Sequence, residues 1–126
     1  MATLKSFVEE ELTTWREHRR AGRVAEAWAA LERAHILSQP DAWLHTRVHL
    51  DMLAYAVALK DWPEFRGQIA RIAVAKIGSR LGRAPIGNTG RSDVPILQPM
   101  SVAPDLAAKL AEAGHPVETG RDRARP

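Results

Sequence analysis

The sequence predicts an all-α fold, a four-helix array of two antiparallel helix hairpins followed by an extended segment and a short last helix. Two observations predict it. Apolar residues recur every three or four positions in four successive stretches of the 126-residue chain, the spacing of one helix face. The stretches are separated by turn signals only a few residues long, and short connections make consecutive helices antiparallel neighbours.

The first helix, about residues 4–20, carries Leu4, Phe7, Val8, Leu12 and Trp15, with Thr3 as its cap and Gly22 beyond its end. The second, about 23–38, carries Val24, Trp28, Leu31, His35 and Ile36, and Pro40 stops it. Asp41 caps a third, about 41–59, with Leu44, Val48, Met52, Tyr55 and Leu59 inward. Asp61 and Glu64 have capping-box spacing ahead of a fourth, about 62–77, which places Phe65, Ile69, Ile72 and Ala73 in the core and ends at Gly78. Trp15, Trp28, Trp43 and Trp62 are spread over the four helices and are assigned to core packing. Ala21 to Ala34 and Leu59 to Ala73 give a weak tetratricopeptide flavour. The two units stand about 38 residues apart rather than the roughly 34 of that repeat family.

Residues 78–103 change character, because Gly78, Gly82, Gly87 and Gly90 alternate with Pro85, Pro95 and Pro99. Such a stretch does not stay helical. It retains Leu81, Ile86, Val94, Ile96, Leu97 and Met100, so an ordered extended segment lying over the helices is expected. Pro104 opens a short helix over about 104–113, with Leu106 and Leu110 inward and Gly114 at its end. Residues 1–114 then form one helical domain, and 115–126 a disordered tail.

Composition narrows the function. With 45% hydrophobic and 26% charged residues the chain suits a soluble globule. No apolar run reaches the ~18 residues of a membrane span, and no leader peptide is visible, which places the protein in the cytoplasm. Cysteine is absent, so any metal must be held by nitrogen and oxygen. Acids and bases balance through residue 75, and the surplus of base sits in Lys76, Arg80, Arg83 and Arg91. That patch lacks interleaved aromatic residues, which argues against a nucleic-acid partner.

The most informative pattern is Glu32-x-x-His35 on the second helix and His45-x-x-x-His49 on the third. Each spacing puts both residues on one helix face. About the intervening turn His35 mirrors His45, and Glu32 mirrors His49 one turn further out. Four potential ligands then converge, which suits zinc, iron or manganese. Three ligands with an open position would make a catalytic site activating water or dioxygen, and four closed ligands a structural one. Trp28 and Met52 would form an apolar floor. Glu11, level with Glu32 across the first hairpin, would supply a second carboxylate. The bland alternative is a metal-free buried network of His and Glu inside a non-enzymatic protein–protein interaction module. His18 and His115 are assigned to solvent and tail, and no nucleophile arrangement stands out.

Pro85 to Asp93 is a separate candidate. Backbone N–H groups around Asn88 with Arg91 could cradle an anion, or Asp93 could orient a histidine ring over the metal site. The plainer reading is a turn tied down by Arg91 and Asp93.

The stretches Ala27 to Gln39, His45 to Leu53 and Leu81 to Val94 together resemble a small bacterial family of domains of unknown function, family 3703 of that class. The resemblance covers about residues 5–110 and rests on Glu32, His35, His45, His49 and residues 85–91. It implies a compact, mostly helical domain and carries no activity or substrate.

Overall fold

A computed structural model describes residues 2–81 and 102–117, with side chains through residue 73 and again from 102. Among the described residues there are five helices: α1 (Leu4–Arg20), α2 (Val24–Ser38), α3 (Ala42–Ala58), α4 (Trp62–Leu81) and α5 (Pro104–Glu112). α1 packs along α2 and α3 along α4; α2 and α3 join the two hairpins, and α5 closes against α2 and α1. The fold class is the one the apolar spacing predicts.

The helix ends show why the elements stop where they do. Thr3 and Ser6 form a reciprocal capping box at the start of α1, and the Asp41 carboxylate accepts from the N–H groups of Trp43 (2.9 Å) and Leu44 (3.1 Å) at the start of α3. Three C-termini use one device, in which a residue in the left-handed region lets its own N–H and that of the next residue return to the last turn. Gly22 (φ 72°) and Gly114 (φ 87°) do this after α1 and α5. Lys60 (φ 55°) does it after α3.

α4 does not end at Gly78 but runs on to Leu81. An isolated glycine costs a helix only about 1 kcal/mol relative to alanine, and the next proline waits until position 85. At the other end the described residues run past Gly114 to Val117. The His115 N–H bonds Leu110 C=O at 2.8 Å, and Val117 packs on the core. The remainder of the expected tail, and residues 82–101 of the expected extended segment, lie outside the described residues.

The core gathers Phe7, Val8, Leu12 and Trp15 of α1 with Trp28, Leu31 and Leu37 of α2, Leu44, Val48, Met52 and Tyr55 of α3, and Leu106 and Leu110 of α5. Trp15 meets Tyr55 edge-on at 5.8 Å, and Trp28 lies 5.0 Å from the same ring. Two of the four tryptophans depart from the core assignment: Trp43 is 77% exposed and Trp62 49%. Each sits at or beside a helix start, where the side chain can project past the end of the packed neighbour. Val24, Leu59 and Ile69 are likewise exposed.

α4 explains the last of these. Its buried face is Glu64, Gln68 and Arg71, not the row containing Ile69. Phe65 is half-buried against the core. A polar face is buried only where its hydrogen bonds are met, and what α4 meets on α3 is a cluster of histidines.

Candidate metal centre

His35 stands in the last turn of α2, where its carbonyl accepts the Ser38 hydroxyl at 2.8 Å. His45 and His49 occupy successive turns of α3 just after the Asp41 cap. The tight turn between the helices brings all three rings together, with every pair of ring centroids 4.7 Å apart. Their Nε2 atoms form a triangle: His35 to His45 2.9 Å, His35 to His49 3.1 Å, and His45 to His49 3.2 Å. His35 and His49 are buried and His45 partly so.

The triangle poses a problem in hydrogen bonding. A ring nitrogen of neutral imidazole is either an N–H donor or a lone-pair acceptor. Three such atoms in mutual contact cannot alternate, so at least one contact sets two of a kind against each other. His49 shows which kind. Its Nδ1 lies 2.9 Å from Gln68 Oε1, and Gln68 Nε2 donates to Glu64 Oε1 at 3.0 Å. A carboxylate only accepts, so the Gln68 nitrogen faces Glu64 and its oxygen faces His49. The His49 proton therefore sits on Nδ1, and the Nε2 lone pair points into the triangle.

The surroundings favour the uncharged form of His45 and His49. Burial holds His45 down to about 4, and the neighbouring His49 adds to the effect. His49 is lowered by burial and by the Arg71 charge, against an opposing contribution from Gln68. Neutral imidazole is the form that ligates metal. Among the described residues these three histidines are the set that could hold an ion, their ligand atoms lying within 4.8 Å of one another.

Beside these three histidines stand the other sequence candidates. Glu32 is half-buried on α2 one turn before His35, outside the converging set. The place opposite His49 that the hairpin register gave to Glu32 is taken by His35, with Gln68 behind. Glu11 is buried and accepts from Arg33 Nε at 2.9 Å, and Arg33 also pairs with Asp105 on α5. Trp28 and Met52 are buried as expected. His18 accepts from Arg23 Nε at 2.9 Å on the surface. Asn88, Arg91 and Asp93 lie outside the described residues.

Sequence reasoning missed Glu64, Gln68 and Arg71. Their spacing is itself a helix face and could have disclosed them. Asp61 does accept the Glu64 N–H at 3.2 Å, as the capping pattern required, but the Glu64 carboxylate turns inward to Gln68.

A family model described as a protein of unknown function (DUF3703) matches residues 2–110, and the chain belongs to that family. No curated protein and no solved structure matches it. No helix among the described residues is long and apolar enough to cross a membrane.

Proposed function

We propose that this is a cytoplasmic metal-binding protein in which His35, His45 and His49 hold one divalent ion through Nε2, with Glu32 as fourth ligand or nearby base. The observation that carries the reading is the triangle of Nε2 atoms 2.9–3.2 Å apart. Protein hydrogen bonds cannot satisfy all three edges, whereas a cation accepts three lone pairs at once. Nitrogen ligands about 2.0–2.1 Å from a tetrahedral zinc stand roughly 3.3 Å from one another, so the rings need to open by only a few tenths of an ångström. Three imidazoles favour zinc or iron over manganese, which prefers oxygen. When bound with a position left open, such an ion supplies the Lewis acidity that activates water or dioxygen. Glu11, engaged by Arg33, supports a mononuclear site.

A second reading has its own observation. Trp43, Leu50 and Val57 are exposed at seven-residue spacing along the outer face of α3. That stripe suits a protein-interaction module, with the histidines as a metal-free network.

Cobalt(II), a spectroscopic stand-in for zinc, separates the two. The metal reading expects visible absorption bands of a four- or five-coordinate ion that saturate at one equivalent, are displaced by zinc and are missing in His45→Ala. A featureless titration would leave the interaction reading standing.

A further inference from the structure

His49 is supported from α4. Behind its ring runs a chain of two α4 side chains, Gln68 and then Glu64, one helical turn apart. Gln68 is fully buried and Glu64 is 3% exposed, so bulk water does not compete for these bonds.

A neutral imidazole offers a lone pair at one nitrogen only when its proton is on the other, and the bond made by the second nitrogen decides which. Glutamine by itself is a poor director, because its amide can be turned end for end to present either oxygen or nitrogen. Presenting nitrogen would draw the His49 proton to Nε2 and aim an N–H into the triangle. Glu64 removes that option, since its carboxylate accepts and so holds the amide nitrogen. The order of types along the chain, acceptor-only and then ambivalent and then imidazole, is what fixes the outcome. A neutral amide against the ring also orients it without adding a charge.

We propose that Glu64 and Gln68 are positioning residues that lock His49 in its Nδ1–H form, with Glu64 acting on the ring through Gln68. The proposal rests on the metal-site reading for its purpose, but the lock exists in the metal-free protein and can be tested there. The ring nitrogens of the full-length, metal-free protein are observed by long-range proton–nitrogen NMR at pH near neutrality. The wild type is expected to show His49 with a protonated Nδ1 and a bare Nε2. In Glu64→Gln, almost isosteric, the amide is released and the proton is expected to divide between the two nitrogens. The exchange Glu64→Gln with Gln68→Glu sets a carboxylate, which only accepts, directly against Nδ1 with the amide of residue 64 donating to it, and is expected to return the His49 proton to Nδ1. Zinc affinity measured on the same proteins is expected to fall about 10–100-fold in Glu64→Gln and to return in the exchanged pair. A wild-type His49 protonated on Nε2, or a pattern unmoved by Glu64→Gln, overturns the lock. Failure of the wild type to bind zinc at all would instead overturn the metal reading, with the NMR result still deciding the lock.

Discussion

The seam between α1 and α2 and the seam between α3 and α4 are built from opposite materials. The first interleaves Phe7, Val8, Leu12 and Trp15 with Ala27, Trp28, Ala30, Leu31 and Ala34, and keeps its charges at the edge, where Arg33 holds Glu11 and Asp105. The second sets His49 of α3 against Glu64, Gln68 and Arg71 of α4, with His45 alongside. Apolar contact is non-directional and tolerates small adjustments of helix angle. A buried polar seam holds only where donors meet acceptors, so it fixes orientation at a cost in stability if any partner is lost. The contrast teaches that the α1–α2 seam is a scaffold, while the site is assembled where His35 at the end of α2 meets the polar seam of α3 and α4.

Cutting into the scaffold should therefore damage folding and spare the site. Leu12 is fully buried on α1. Leu12→Ala is expected to lower unfolding free energy by about 2–5 kcal/mol, the range for deleting a packed leucine. Urea denaturation measures this, and the folded fraction should still bind metal with unchanged stoichiometry. A loss below about 1 kcal/mol, or a loss of metal binding in the folded protein, would break the division between the two seams.

At the edge of the apolar seam a charge should matter far less. The bond from Arg33 holds the Asp105 carboxyl below its usual value. A carboxyl depressed on folding contributes stability above its unfolded value, and the contribution is lost as pH falls through the folded value. Asp105 has more than half its side chain exposed, so solvent screening reduces the effect. Wild type and Asp105→Asn are expected to differ by about 0.5 kcal/mol or less near neutrality and to converge in acid below the carboxylate range. A gap that widened in acid would reverse the assignment.

The scaffold was legible in the sequence because its signals are local. Caps at Thr3 and Asp41, the glycine stop at Gly22 and the spacing of Leu12, Trp15, Leu31 and Met52 all act within a turn or two of helix. The three histidines were legible because two short spacings and one tight turn fix their meeting. The buried face of α4 was not, since apolar periodicity assumes that a buried face is apolar, and here the partner face carries an imidazole that meets Gln68. Gly78 misled because a glycine ends a helix in this way only when its own backbone turns left-handed, as it does at Gly22. Trp43 and Trp62 misled because hydrophobicity alone does not say which side of a helix start a ring will leave from.

The central claim is that the imidazoles of His35, His45 and His49 hold an ion where α2 meets α3. Its most direct test is the metal content of the untagged protein, measured by elemental analysis beside a His45→Ala, His49→Ala double variant that remains helical. The account predicts about one equivalent of zinc or iron per chain in the parent and none in the variant. No metal in either, even after incubation with zinc, iron and manganese salts, would contradict it and reduce the triangle to a buried polar network.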